Sequence, residues 1–180
     1  EPEVVHTIAQ RRENALYLPG VRLPATLTAT NVLSEALTGT DCVLFAVPSH
    51  VARPVLGRVG PLLPEAVPFV SATKGIEETT LDLMTQVMQE ALPAHMRNSV
   101  MVLSGPSFAS EVSQGKPTAL CLAGHDSDRV KTIQALFMTP SFRVYADDDV
   151  IGVQLGGALK NVMALAQMLG YRLQGARAAT

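Results

Sequence analysis

Short apolar, β-branched runs alternate along the chain with longer segments whose apolar residues recur at the period of a helix. The runs that predict β-strands are Leu27–Thr30, Cys42–Val47, Pro68–Thr73, Ser99–Leu103, Thr118–Ala123 and Arg143–Tyr145. The segments that predict helices are Val4–Leu16, Val32–Leu37, Val51–Leu63, Leu81–Leu92, Phe108–Ser113 and Ser127–Phe137. This alternation predicts an α/β fold.

The apolar run Val43–Val47 has no polar position, which is typical of a strand that is buried on both faces of a parallel sheet. We therefore expect a doubly wound sheet with helices on both sides. The direction of the strands after Thr118 stays open. Asp147–Asp149 precedes a long apolar helical segment, so we place a boundary between an α/β unit, residues 1–148, and a helical unit, residues 149–180.

The composition excludes several classes of protein. Apolar residues make up 47% of the 180 residues and charged residues 17%, which is typical of a globular chain. The net charge of -2 predicts neither a nucleic-acid interface nor a polybasic membrane patch, and no apolar stretch is long enough for stable membrane insertion. Cys42 and Cys121 sit in apolar runs, so we expect free thiols in a reducing cytoplasm. Both termini read as cuts in a longer chain.

Ligands bind beyond the carboxyl ends of the strands in a doubly wound sheet, here named the ligand edge. Three loops should line it: Pro48-Ser49-His50, Lys74-Gly75 and Ser104-Gly105-Pro106-Ser107. Lys74 there would suit a phosphate or an alkoxide, although the pattern alone favours an ordinary solvated lysine. The loop that contains Gly105 fits two interpretations equally well. It is either a backbone surface for an anion or a plain helix entry capped by Ser107.

Lys160 is the most informative single residue. On a helix that starts near Val150, an apolar stripe includes Ile151, Leu155 and Leu159, and Lys160 points away from it. Its own face carries Gly156 and Gly157 one turn earlier. Glycine inside a helix costs about 1 kcal/mol relative to alanine, so the pair indicates a close approach by another backbone or a ligand. The alternative is a solvated lysine beside two flexible glycines.

The remaining polar residues predict little chemistry. No His/Cys group has the spacing of a metal site, and Asp147, Asp148 and Asp149 are interpreted as acids at a helix N-terminus. His50 could touch a ligand from the first loop. The other three histidines are interpreted as surface residues.

Five segments together resemble bacterial NAD(P)-dependent glycerol-3-phosphate dehydrogenase in order and approximate spacing. They are Val47-Pro-Ser-His50, Ser71-Ala-Thr-Lys-Gly75, Leu103-Ser-Gly-Pro-Ser-Phe-Ala109, Ser141-Phe-Arg-Val-Tyr145 and Ile151-Gly-Val-Gln-Leu-Gly-Gly-Ala-Leu-Lys-Asn-Val162. The similarity runs from Glu1 to about Ala166. The resemblance implies a Rossmann-like fold, with residues 1–148 as part of the dinucleotide-binding domain and 149–180 as the first helix of an all-helical substrate domain.

The resemblance also implies an enzyme that interconverts dihydroxyacetone phosphate and sn-glycerol 3-phosphate with NAD or NADP, for glycerophospholipid synthesis. By position, Lys160 matches the lysine that transfers the proton and contacts substrate. Lys74 matches a contact to both cofactor and substrate, Gly105 and Ser107 match substrate contacts, and Ala109 matches a cofactor contact. Homodimerisation and the choice between NAD and NADP are left open.

The sequence departs from the family pattern in three places. The family's first strand with its G-x-G-x-x-G turn would precede Glu1, and its Ser-Arg-Asn phosphate clamp would follow Thr180. Residues 167–180 differ from the family's glycine-rich continuation. Two alternatives therefore stay open: another dehydrogenase of the same superfamily, and a non-catalytic truncated fragment that binds a partner.

Overall fold

The computed structural model describes residues 1–159, which form a mixed five-stranded sheet with helices around it. The strands are β1 (Val43–Phe45), β2 (Phe69–Ser71), β3 (Val100–Ser104), β4 (Thr118–Ala123) and β5 (Phe142–Asp147). The α-helices are α1 (Pro2–Arg11), α2 (Leu33–Leu37), α3 (Ser49–Val59), α4 (Met84–Ala91), α5 (Ala109–Ser113) and α6 (Ser127–Phe137). Two 3-10 segments, Gly60–Leu62 and Ala94–Ser99, follow α3 and precede β3. Residues 150–159 are also helical.

The strands lie in the order β1-β2-β3-β4-β5. The first three are parallel, β4 runs antiparallel to β3, and β5 runs parallel to β4. The carboxyl ends of β1, β2 and β3 therefore meet at one edge of the sheet, which is the ligand edge. Strand β5 ends at the opposite edge, so the chain must return across the sheet to approach the ligand edge again.

Both faces of the central strands β2 and β3 are covered, as expected for a doubly wound fold, whereas Leu44 of β1, predicted to be buried, is 50% exposed. Alternate residues of β2 point to opposite faces: Phe69 packs in the cluster with α3 and α4, and Val70 in the cluster with α6. The rings of Phe45 and Phe69 lie 5.5 Å apart at their centroids and link β1 to β2. The predicted α/β architecture is confirmed.

The helix of residues 150–159 packs on the same face as α4. Val150 contacts Val102 and Ala123 in a small apolar cluster. Gln154, only 4% exposed, accepts a hydrogen bond from the backbone N–H of Thr85 and donates one to the Thr85 hydroxyl, both at 2.9 Å. Because an amide buried without partners would be costly, this reciprocal pair joins the helix firmly to the start of α4.

Several sequence predictions of element bounds are wrong. Residues 27–30 form no strand, and Leu27 instead closes a turn in which its N–H bonds to the carbonyl of Pro24. The first helix ends at Arg11 because Arg12 adopts a left-handed conformation with φ of 55°. The helix predicted from Leu81 begins only at Met84, since Leu81 has a positive φ and is 76% exposed.

The domain boundary near residue 148 stays a prediction, because the described residues end at Leu159. Within residues 1–159, no helix is long and apolar enough to cross a bilayer.

Candidate functional site

The three loops predicted at the ligand edge contact one another. Gly75, after β2, lies against Ser49, after β1, and Lys74 donates a hydrogen bond from its Nζ to the carbonyl oxygen of Gly105, after β3, at 3.3 Å. The structure thus brings Lys74 and Gly105 together, as the sequence predicted. The Lys74 side chain is exposed, which leaves its ammonium accessible to an anion at this edge.

Two glycines permit this packing. Gly75 has φ of +115°, and a Cβ there would stand 2.9 Å from the hydroxyl oxygen of Ser49. Gly105 has φ of +154°, and a Cβ there would stand 2.8 Å from the carbonyl oxygen of Ala119. Both positions therefore exclude a side chain, for conformational and steric reasons. The loops leave backbone atoms at the surface where a ligand can approach.

The third loop differs from the sequence prediction in detail. Helix α5 begins at Ala109, with Phe108 rather than Ser107 as its N-cap residue, and it has five residues. Ser107 instead donates its backbone N–H to the carbonyl oxygen of Gly105 at 3.0 Å. The interpretation of Ser107 as a helix cap is wrong, and Pro106 lies before the first helical turn. Gly105 contacts Lys74, Ser107 contacts Gly105, and exposed Ala109 stands at the start of α5.

A charged cluster around Arg53 lies next to the loop that contains Lys74. Arg53 of α3 donates to Glu77 from Nε at 2.8 Å and from Nη2 at 2.7 Å, and to Glu90 of α4 from Nη1 at 2.7 Å. Thr80 donates its hydroxyl to Glu77 at 2.6 Å, and Asp82 lies 3.7 Å from Arg53. This network holds residues 77–82 against two helices.

The cluster changes the protonation of its members. Hydrogen bonds from Arg53, and then from Thr80, lower the pKa of Glu77 from 4.5 to about 2. Hydrogen bonds to Glu77 and Glu90 raise the pKa of Arg53 above its usual value. Both groups are therefore ionised throughout the neutral range.

The sequence analysis missed Arg53 and Glu77. A signal was present: Arg53 follows Ser49 by one helical turn, and Glu77 follows Gly75 by two residues. A contact between Gly75 and Ser49 would therefore bring Glu77 within reach of Arg53.

The helix of residues 150–159 reaches the ligand edge at Gly157. A Cβ at Gly157 would collide with the hydroxyl of Ser104, the last residue of β3, whereas a Cβ at Gly156 would meet nothing. Gly157 thus approaches the side chain of Ser104 rather than a backbone, whereas Gly156 lines an open cleft, so the approach of a ligand to this glycine pair stays a prediction. A cleft of about 280 Å³ lies between this helix and the Gly105 loop, and Cys121 contributes to its wall. Lys160 lies outside the described residues.

The apolar stripe proposed for this helix does not face the sheet. Ile151 is 59% exposed and Leu159 is 45% exposed, while Val150 and Gln154 are buried. The side that carries Gly157 is the one that packs on the sheet.

The other polar candidates have modest roles. Asp149 accepts the backbone N–H of Gly152 at 2.7 Å, which confirms its interpretation as an acid at a helix N-terminus. His50 is exposed in the first turn of α3. Cys42 and Cys121 are free thiols, and burial raises the pKa of Cys42. Over residues 1–159, no group of three His, Cys, Asp or Glu side chains could hold a metal ion.

Comparison with known proteins identifies related chains. Residues 1–130 match the family described as NAD-dependent glycerol-3-phosphate dehydrogenase N-terminus. Glycerol-3-phosphate dehydrogenase (NAD(P)+) from Koribacter versatilis is 46% identical over 92% of this chain and 49% of its own length. The protein of the same name from Geobacter sulfurreducens is 49% identical over 92% of this chain and 50% of its own length. The chain thus spans about half the length of these curated relatives.

Solved structures show the same similarity. The crystal structure of glycerol-3-phosphate dehydrogenase from Coxiella burnetii has a TM-score of 0.82 at 34% identity, over 92% of this chain and 50% of that one. A ketopantoate reductase from Ralstonia eutropha has a TM-score of 0.56 at 18% identity, over 86% of this chain and 49% of that one, and shares only the fold.

Substitution of the two neighbouring glycines should separate packing from helix propensity. Gly157→Ala should lower the free energy of unfolding by about 1–3 kcal/mol, because its methyl group overlaps the Ser104 hydroxyl. Gly156→Ala is the matched control and should be neutral or stabilising by up to about 1 kcal/mol. Urea denaturation measures both. Adding Ser104→Ala should restore part of the unfolding free energy that Gly157→Ala loses. Equal effects of the two glycine variants on stability would contradict the contact between Gly157 and Ser104.

The Glu77 carboxylate should make stability depend on acid pH. Its pKa is lowered by folding, so its stabilising effect is present above about 4.5 and is lost as the pH falls toward about 2. Glu77→Gln should therefore be less stable than wild type at pH 7, and the difference should shrink over that acid range. Denaturant unfolding at several pH values measures this difference in stability. Glu78→Gln, a change at an exposed neighbour, is the control. A difference that stays constant with pH would count against the ion pair.

Proposed function

This chain belongs to the NAD-dependent glycerol-3-phosphate dehydrogenase family, and we propose that it is part of an oxidoreductase that interconverts dihydroxyacetone phosphate and sn-glycerol 3-phosphate. The observation that carries the proposal is the junction of Lys74 and Gly105 at the ligand edge, beside the point where Gly157 brings a helix to the end of β3. The Gly105 loop and the helix of residues 150–159 line one cleft, and Lys74 contacts that loop, which supports the proposal.

The described residues fit an anionic phosphorylated substrate and a dinucleotide. Lys74 supplies an ammonium beside the Gly105 loop, and Gly105 and Pro106 line a cleft next to it. We assign Lys74, Gly105 and Ser107 to the substrate, and Lys74 and Ala109 to the cofactor. When bound, NAD or NADP supplies the redox chemistry by exchanging a hydride with the carbonyl carbon. Lys74 stabilises negative charge beside the reacting carbon.

Lys160 is proposed as the group that moves the proton to or from the substrate oxygen, and as a further substrate contact. It follows Gly157 by three residues, and residues three apart share a face on an uninterrupted helix. Gly157 packs on Ser104 at the ligand edge, so the described part of the helix supports a lysine at this edge. In the reductive direction, the ammonium of Lys160 protonates the alkoxide that develops on the substrate.

The proposal extends to the setting of the reaction. Reduction of dihydroxyacetone phosphate supplies the glycerol backbone for glycerophospholipid synthesis, and we place the enzyme in the cytoplasm, with homodimerisation as part of the proposal. The G-x-G-x-x-G turn and the phosphate clamp implied by the family lie outside this chain. Activity is therefore expected of the product of the complete gene.

Removal of the Lys160 amine should abolish turnover but not cofactor binding. In the product of the complete gene, Lys160→Ala should lower kcat for dihydroxyacetone phosphate reduction by about 10²- to 10⁴-fold, the usual contribution of a general acid. NADPH affinity, followed by nucleotide fluorescence, should stay close to wild type. Lys131→Ala, an exposed lysine on α6, is the matched control. Near-normal turnover in Lys160→Ala would remove Lys160 from this role.

A further inference from the structure

We propose that Arg53 and Glu77 are positioning residues for Lys74: their ion pair fixes the loop that presents the Lys74 ammonium to the phosphorylated substrate. This assignment rests on the proposed function, in which Lys74 binds the substrate. Neither residue touches the ligand edge in the way Lys74 does, and both act through the backbone that connects them to it.

The loop after β2 is attached to α3 at two points. Ser49 and Arg53 are one helical turn apart and so lie on the same side of α3. Gly75 packs on Ser49, so closely that a Cβ would stand 2.9 Å from its hydroxyl, and Glu77 pairs with Arg53. Gly75 and Glu77 thus contact the same face of α3, at Ser49 and Arg53 respectively.

The residues that precede Lys74 are attached to β1. The backbone N–H of Ala72 donates to the carbonyl of Phe45 at 2.8 Å, and the Thr73 hydroxyl approaches the same oxygen at 3.5 Å. Lys74 therefore stands between an anchor at residues 72–73 and an anchor at residues 75–77. Its backbone has little freedom while both hold, and its Nζ reaches the carbonyl of Gly105 across the edge.

The second anchor depends on charge and on the shape of arginine. Glu77 is only 8% exposed, and it receives two parallel hydrogen bonds from Arg53 and a third from Thr80. Removing Arg53 would leave the carboxylates of Glu77, Glu90 and Asp82 close together without their shared cation. Because a buried, unpaired carboxylate is unfavourable, residues 76–83 would move toward solvent and release the turn that holds Lys74. Lysine could keep the charge but not the paired geometry.

The experiment uses the product of the complete gene and steady-state kinetics with dihydroxyacetone phosphate. Arg53→Gln should raise KM by about tenfold while kcat changes by less than about threefold, since substrate binding rather than chemistry is weakened. Arg53→Lys should raise KM less. Arg58→Gln is the matched control: it lies on the same helix, is exposed and has no ion pair among residues 1–159, so both constants should stay at wild-type values.

Coupling to Lys74 distinguishes positioning from general destabilisation. Lys74→Met alone should raise KM by about a hundredfold, and adding Arg53→Gln should change it by less than about twofold further. A full tenfold effect of Arg53→Gln in the Lys74→Met protein would overturn the positioning role and leave the proposed function intact. A wild-type KM for Arg53→Gln would do the same. A wild-type KM for Lys74→Met would overturn the positioning role and the assignment of Lys74 to the substrate, whereas absence of dihydroxyacetone phosphate turnover in the wild type would overturn the proposed function. If Arg53→Gln fails to fold, the KM effect of Arg53→Lys is compared in the wild-type and Lys74→Met backgrounds instead.

Discussion

The backbone of Gly157 lies against the hydroxyl of Ser104, and this contact determines where the helix of residues 150–159 meets the ligand edge. Strand β5 ends at the opposite edge because β4 reverses direction relative to β3. The helix then starts on Val102 and Ala123, is held by Gln154 against Thr85, and advances about 1.5 Å per residue toward the end of β3. A side chain at position 157 would require the Ser104 hydroxyl to rotate or the helix to shift, so glycine is the residue that allows this approach without adjustment.

The ligand edge is organised by contacts between loops rather than by any one loop. Gly75 on Ser49 joins the first loop to the second, and Lys74 on Gly105 joins the second to the third. Behind them, Arg53 ties α3 to Glu77 and to Glu90 of α4. The accessible cation of the site is thus supported by a second, less exposed cation that is fully committed to carboxylates.

Local sequence patterns predicted those parts of the structure that depend on local interactions. Strand β4 and helix α6 have the predicted bounds, and the three loops meet at the predicted edge because parallel strands end together. Sequence could not predict the reversal of β4, which depends on pairing with β3. The spacing of Arg53 and Glu77 made their pair feasible but did not determine it, because the two residues are 24 positions apart. Residues 27–30 have a strand-like composition but form a turn, since β propensity acts only where a partner strand is available. The apolar stripe of the last helix did not identify the face that packs on the sheet, because Val150, Gln154 and Gly157 form that face.

The central claim is the proposal that the amine of Lys160, three residues after Gly157, serves the edge where Lys74 and Gly105 meet. The most direct measurement is a crystal structure of the complete gene product with NADPH and dihydroxyacetone phosphate bound. We expect the Nζ atom of Lys160 within about 3.2 Å of the substrate carbonyl oxygen, with Lys74 on the same ligand. A Lys160 amine that points into solvent, away from a substrate held at that edge, would contradict the account.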